Sequence, residues 1–155
     1  MSVIPRPNNC SIERTLDIVG EKWTFLVLRE AFGGVRRFAD MQATTGAPRQ
    51  VLSARLQRLV DEGLMRKEPY RVPGQRQRDE YRLTDKGRDL YPILVALMHW
   101  GDTYTADDDG PPMLMTHRDC GAPVEQYMRC ADGHEVHGPR EVTALIGPGA
   151  GLKSA

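Results

Sequence analysis

The sequence has few of the features that mark secreted or membrane proteins. It holds only three cysteines in 155 residues, Cys10, Cys120 and Cys130, and this odd, scattered set argues against a disulfide framework. No apolar run is long enough to cross a membrane, and the segment after Met1 lacks the apolar stretch of a secretory signal. We therefore expect a cytoplasmic protein with no membrane partner.

Signatures of catalysis are also missing. The sequence shows no glycine-rich phosphate loop, no nucleophile elbow, and no paired carboxylates or Cys/His set on a predicted cleft. We therefore expect a protein that is not an enzyme and has no catalytic residues.

The net charge of +0 hides a polarised distribution. Residues 48–88 hold 11 Lys/Arg against 6 Asp/Glu, whereas residues 107–155 hold 4 against 8. A polyanion is the natural partner of such a basic segment, although the same balance also fits an ordinary solvated surface.

The first half of the chain has the apolar periodicity of four helices. The pattern predicts a helix from Cys10 or Ser11 to Gly20, an apolar core helix over residues 21–32, and two short helices over residues 37–45 and 48–62. The break at Gly46 joins the last two helices in the manner of a helix-turn-helix.

The second half changes period. Residues 64–70 and 80–83 are predicted strands of a hairpin with arginines around its turn, and Thr84 is the predicted cap of a long helix that ends near residue 104. The predicted organisation is an N-terminal arm (1–9), a DNA-binding and dimerisation domain (10–106), a linker (107–112), a small β-hairpin or knuckle-like appendage (113–146) and a disordered tail (147–155).

The helix over residues 48–62 is suited to reading DNA. Its leucines form one buried stripe, so its other face is free to meet base edges in a major groove. Gln pairs with adenine, Arg with guanine or phosphate, and Ala contacts the thymine methyl group. The candidate contacts on this helix are Arg49, Gln50, Ser53, Ala54, Gln57 and Arg58, and those on the hairpin are Arg76 and Arg78. The same residues also fit a solvated surface.

Several segments resemble the HxlR-type regulators, which are relatives of the MarR group. These are CSIERTLDIVGEKWT (residues 10–24), Arg37-Phe38, VLSARL (51–56) with Leu59 and Gly63-Leu64, YRLTDKG (81–87) and Trp100-Gly101. The resemblance covers roughly residues 10–105. It implies a mainly α winged helix-turn-helix protein with a small β-hairpin. It also adds Arg37 and Arg55 to the recognition unit. The short β-rich C-terminal tail is instead predicted from β-like runs over residues 113–116 and 124–128.

The resemblance further implies a homodimer that binds double-stranded DNA as a repressor or activator, formed through its first and last helices. The last helix has more apolar surface than a lone small domain needs to bury, contributed by Leu90, Leu94, Leu97 and Trp100. A small-molecule inducer is a further expected partner. The alternative is a winged helix that binds proteins and has lost DNA binding, which the basic hairpin and Arg49 disfavour.

Cys10 is a candidate sensor of oxidants or electrophiles. Several members of the resembled family sense such compounds through a cysteine at this position, and a helix N-terminus favours the reactive thiolate. Glu13, one turn later, opposes that effect. A packing or capping role is the alternative.

The C-terminal segment contains paired metal-ligand residues. His117 and Cys120 form one pair, and Cys130 and His134 form another, which together provide four ligands for a tetrahedral zinc ion. A metal-free hairpin without any cofactor is the other interpretation.

Overall fold

A computed structural model of the chain describes residues 9–150. Most of the predicted N-terminal arm and the last residues of the predicted disordered tail lie outside this range. The described chain forms two compact units, residues 9–94 and 95–150, and the division falls inside a helix rather than at the predicted linker over residues 107–112. No helix among the described residues has the length and apolarity to span a membrane.

Four helices form the first part of unit 9–94. They are α1 (Ser11–Val19), α2 (Lys22–Phe32), α3 (Phe38–Thr45) and α4 (Arg49–Asp61), each within two residues of its predicted bounds. Gly20 allows the close turn between α1 and α2, because a Cβ there would lie 2.5 Å from the carbonyl oxygen of Leu16. Gly46 ends α3 in the left-handed region with φ of 69°.

The core of this unit lies where α2, α3 and α4 meet. Met41 of α3 is fully buried, as are Val27 and Leu28 of α2, and the half-buried Phe25 and Phe38 pack against this cluster. The buried residues of α4 follow at i, i+4 and i+7, which gives one apolar stripe along the helix. These are Leu52, Leu56 and Leu59.

The predicted hairpin, hereafter the wing, is formed by β1 (Met65–Tyr70) and β2 (Arg78–Leu83). The strands are antiparallel and pair from Met65 with Leu83 to Tyr70 with Arg78, so β2 is two residues longer than predicted. The Arg37–Glu80 bridge and a 2.8 Å hydrogen bond from the Tyr81 amide to the Arg36 carbonyl tie the wing to the start of α3.

The single long helix predicted after Thr84 is wrong, because the structure has two helices there. They are α5 (Asp85–Arg88) and α6 (Tyr91–Tyr104). Pro92 explains the break, since it has no N–H to continue the helical hydrogen bonds and its ring crowds the preceding turn. The predicted cap is confirmed, because the Thr84 hydroxyl accepts a 3.1 Å hydrogen bond from the Gly87 amide.

The C-terminal segment has little regular structure. It contains a bridge between Thr116 and Pro123, and a hairpin of β3 (Met128–Arg129) and β4 (Glu135–Val136), followed by one 3-10 turn (Pro139–Glu141). Both predicted β-like runs, over residues 113–116 and 124–128, therefore contribute pairing residues. The fold class expected from the sequence, mainly helical with a small β-hairpin, is confirmed.

Candidate nucleic-acid interface

The two faces of α4 are chemically distinct. Leu52, Leu56 and Leu59 hold one face in the core. The opposite face repeats at i, i+3, i+4 and i+7 and carries only exposed small or amide side chains, which are Gln50, Ser53, Ala54 and Gln57. These four predicted residues therefore lie together on one accessible surface, hereafter the α4 outer face.

The turn before α4 fixes the direction of this helix. The Thr45 hydroxyl donates a 2.6 Å hydrogen bond to the Met41 carbonyl and accepts a 3.2 Å bond from the Ala47 amide. Ala47 is buried, and Pro48 occupies the N-cap position of α4. The first turn of α4 is therefore held against α3, as in a helix-turn-helix.

Arg49 and Arg37 both rest on aromatic rings. The Arg49 guanidinium carbon lies 5.2 Å from the centre of the Phe38 ring, and that of Arg37 lies 4.6 Å from the Tyr70 ring. Both side chains are exposed at the ends of α3 and α4. Stacking of this kind holds a cation in place without neutralising its charge, so both arginines stay available to an anion.

Arg55 and Arg58 have carboxylate partners. Nη1 of Arg55 lies 2.8 Å from Oε1 of Glu21, and this arginine is only half-buried at the contact between α4 and α2. Nη2 of Arg58 lies 3.1 Å from Oε1 of Glu62, one turn later on the exposed side of α4. Arg55 thus connects two helices, whereas Arg58 remains near the α4 outer face.

Lys67 is a neighbour of the α4 outer face that the sequence interpretation missed. Its Nζ donates a 2.9 Å hydrogen bond to Oε1 of Gln57, whose Nε2 donates a 2.7 Å bond to Asp61. The wing strand β1 is thereby joined to α4. The alternation of side chains between the two faces of β1 was the available signal, but this alternation does not reveal which neighbouring helix a strand faces.

The tip of the wing is basic and unneutralised. Val72 accepts a 3.0 Å hydrogen bond from Gln75 across a Pro-Gly turn in which Gly74 has φ of 78°. Arg76 and Arg78 are exposed, and no ion pair to another residue of the described range holds either one. The base of the wing differs, because Arg66 and Arg82 lie 2.7–2.8 Å from Glu68 and Glu80.

A cavity of about 330 Å³ opens at the base of the wing within unit 9–94. Burial, with a smaller effect of Asp79, raises the pKa of Tyr81 in its wall, so this phenol stays protonated over the neutral range. The cavity has the size of a small-ligand site, and arginines dominate its polar residues. Its main lining residues are Phe32, Arg36, Arg66, Tyr81, Arg82 and Arg88.

The two predicted metal pairs are both present in unit 95–150 as close contacts. Sγ of Cys120 lies 3.3 Å from Nδ1 of His117, and Sγ of Cys130 lies 3.4 Å from Nδ1 of His134. Within residues 9–150 the four do not form one metal-sized cluster; Cys130 and His134 cluster with Asp132 instead.

Cys10 occupies the N-cap position of α1. Its thiol is free and half-buried, its side chain makes no capping hydrogen bond, and its carbonyl accepts a 3.1 Å bond from the Arg14 amide. The predicted capping role of the side chain is therefore absent from this described N-cap, and the thiol is partly accessible.

Known proteins are similar to this chain in sequence or in overall structure. An uncharacterized HTH-type transcriptional regulator of Mycobacterium tuberculosis (strain ATCC 25618 / H37Rv), Rv3095, is 45% identical over 145 residues, which cover 94% of this chain and 90% of that protein. The crystal structure of PA1607, a candidate transcription factor, superposes with a TM-score of 0.80 at 37% identity and covers 89% of this chain and 95% of that one.

The redox regulator HypR in its reduced form is a more distant neighbour, with a TM-score of 0.54 and 28% identity over 61% of this chain and 92% of that one. The HxlR-like helix-turn-helix family matches residues 18–109, a range that includes α2, α3, α4 and the whole wing. Together with the fold and the outer face of α4, this match shows that the chain belongs to the HxlR-like helix-turn-helix family of transcriptional regulators.

Proposed function

We propose that this protein is a cytoplasmic, homodimeric regulator, not an enzyme, that binds specific duplex DNA sites through the α4 outer face. The observation that carries the proposal is the division of α4 into a leucine stripe held in the core and an exposed polar face. A helix presented in this way fits the major groove of B-form DNA.

The α4 outer face supplies the sequence-reading chemistry. Gln50 and Gln57 are suited to bidentate pairing with adenine, and Ala54 to contact with a thymine methyl group. Gln57 must release its exposed bonds to Asp61 and Lys67 to do so, and exposed bonds of this kind exchange with water at small net cost. Arg37, Arg49 and Arg58 flank this face as phosphate contacts.

The wing supplies affinity rather than sequence discrimination. Arg76 and Arg78 extend from its tip without carboxylate neighbours, and arginines placed in this way contact phosphates or a narrow minor groove. The base of the wing is already neutralised by its own glutamates. Within the wing, we therefore assign contact with the DNA backbone to the tip alone.

Exposed apolar side chains support the homodimer. On α1, Ile12 is 71% and Leu16 is 54% exposed, and on α6, Leu97 is 52% and Trp100 is 59% exposed. Symmetric association through these helices removes such surface from water and places two recognition helices for half-sites about one DNA turn apart. Leu90 and Leu94 are half-buried and contribute less to this surface.

Footprinting of the purified full chain on genomic DNA tests the proposal. We expect protected sites with paired half-sites, and Gln50→Ala should weaken discrimination at one base pair of each half-site by about 1–3 kcal/mol. Arg140→Ala, which removes an exposed arginine of unit 95–150, should leave the footprint unchanged. If duplex DNA is not bound even in dilute salt, the proposal is refuted.

We also propose that Cys10 senses electrophiles or oxidants. Its free, partly accessible thiol at the start of α1 supports this role, as does the likeness to the redox regulator HypR. Hypochlorite or a quinone should release the wild type from DNA. Cys10→Ser should abolish this release from DNA. Cys120→Ser removes a more exposed thiol and should still be released. The reverse pattern refutes the role of Cys10.

The cavity at the base of the wing is our candidate site for a small-molecule inducer. Arg36 is exposed there, and no ion pair to another described residue holds it. An aromatic carboxylate could therefore pair its charge with Arg36 and pack its ring against Phe32. Benzoate should raise the melting temperature of the protein, and neutral benzamide should not. An equal shift with both compounds, or a benzoate shift that survives Arg36→Gln, contradicts this assignment.

A further inference from the structure

The C-terminal segment lacks a core of its own. Every residue from 107 to 150 is exposed or half-buried, and Tyr127 and Met128 are 60% and 64% exposed. The two strands β3 and β4 pair through only two residues each. A two-stranded hairpin is at best marginally stable in water, and small units without a core are usually held by a disulfide, a metal ion or a partner.

The loop between these strands brings three metal-binding groups together. The Cys130 sulfur, an Asp132 carboxylate oxygen and a His134 ring nitrogen all lie within 4.8 Å of one another. The loop backbone is closed by two 3.0 Å hydrogen bonds, from the Cys130 amide to the His134 carbonyl and from the Gly133 amide to the Cys130 carbonyl. Gly133 has φ of 85°, which other residues adopt with strain.

The distance between the Cys130 and His134 ligand atoms fits a tetrahedral zinc ion. Zinc binds sulfur at about 2.3 Å and imidazole nitrogen at about 2.0–2.1 Å, so two such ligands at the tetrahedral angle are about 3.5 Å apart. Sγ of Cys130 and Nδ1 of His134 are 3.4 Å apart. The thiolate and imidazole groups also select zinc over magnesium or calcium, which prefer oxygen ligands.

We propose that Cys130, Asp132 and His134 bind one zinc ion, which fastens the β3–β4 hairpin. Coordination replaces the thiol proton, which is released to solvent, and involves no change of oxidation state. Three protein ligands leave the fourth tetrahedral position open to a solvent molecule. The site differs from the four-ligand set indicated by the sequence, because Asp132 is included and His117 and Cys120 are not.

Cobalt titration of the untagged, full-length, chelator-treated protein tests the proposal, since Co²⁺ reports its ligands by absorption. We expect one equivalent of Co²⁺ per chain, a thiolate-to-cobalt charge-transfer band, and displacement by Zn²⁺. Cys130→Ser should remove the band. His134→Ala and Asp132→Asn should each weaken binding by more than about tenfold, since even groups that only support metal ligands contribute about 10–100-fold. Cys120→Ser is the matched control and should retain both band and affinity.

A second measurement follows the hairpin itself. Zinc should slow proteolysis within residues 107–150 and leave cleavage of residues 9–94 unchanged, and Cys130→Ser should remove that protection. Absence of a band, or a band that survives Cys130→Ser, overturns the proposal. Loss of the band in Cys120→Ser also overturns it, because His117 and Cys120 would then be ligands. DNA binding is not needed for any of these outcomes.

Discussion

The wing gives a quantitative test of how this protein holds DNA. Arg76 and Arg78 at its tip lack ion pairs within the described range, whereas Arg66 at its base lies 2.8 Å from Glu68. The perturbation is the double variant Arg76→Ala/Arg78→Ala. Only a cation without a carboxylate neighbour displaces a full counterion from a DNA phosphate, so the tip and the base should respond differently.

The magnitude follows from counterion release. Each neutralised phosphate contributes about 0.9 to the slope of log affinity against log salt, so loss of both contacts should flatten the slope by about 1.8. A fourfold rise in salt, from about 50 to 200 mM, should then reduce wild-type affinity by about 12-fold more than it reduces affinity of the double variant. Fluorescence anisotropy on one labelled site over a salt series measures both slopes.

Arg66→Ala provides the matched control. It removes one positive charge from the same hairpin, against two in the tip variant, and Glu68 keeps a second partner in Arg82 at 2.7 Å. Its salt slope should stay close to that of the wild type. If Arg66→Ala flattens the slope by about 0.9, the value for one phosphate contact, or if neither variant changes the slope, our assignment of phosphate contact to the tip is refuted.

Two further predictions concern stability. Gly87→Ala should lower the free energy of unfolding by about 1–3 kcal/mol, because a Cβ there would lie 2.1 Å from the Leu64 carbonyl oxygen. Gly101→Ala in α6 introduces a Cβ that meets only ordinary contacts, so it should raise the free energy of unfolding by up to about 1 kcal/mol through helix propensity. Urea unfolding followed by circular dichroism compares the two, and equal effects contradict the close approach at Gly87. Burial raises the pKa of Tyr81 in the folded state, so its contribution to stability is complete below the ordinary tyrosine pKa of about 10 and is lost as the pH rises further. Unfolding free energies of wild type and Tyr81→Phe should diverge only at such alkaline pH, and parallel curves contradict the burial argument.

The sequence was most informative where one local pattern has one structural solution. The leucine spacing of α4 predicts both its buried stripe and the opposite face, because side chains three and four residues apart share a face of a helix. Gly46 and the Pro-Gly pair at residues 73–74 mark turns through backbone preference alone. For this reason the helix-turn-helix, the wing and the α4 outer face agree with the sequence interpretation.

The sequence was less informative where the local structure depends on residues that are distant in the chain. Proline is tolerated in the first turn of a helix, so Pro92 alone did not indicate where a helix ends. The apolar periodicity also continues across the break between α5 and α6, and it therefore predicted one long helix. The cluster at the β3–β4 loop depends on a hairpin that pairs only Met128 with Val136 and Arg129 with Glu135. Two cysteines and two histidines predict a four-ligand zinc set, whereas the structure groups Asp132 with Cys130 and His134.

Arg55 shows how position within a helix changes the role of a charge. It lies between the leucine stripe and the outer face, and its guanidinium contacts Glu21 at 2.8 Å while its Nε atom is buried without a hydrogen-bond partner. Glu21 is the N-cap residue of α2 and follows Gly20, where a side chain would clash with the Leu16 carbonyl in the last turn of α1. The Glu21–Arg55 ion pair therefore links the corner between α1 and α2 to α4, so we expect a chemical change at Cys10 that moves α1 to alter the placement of α4 as well.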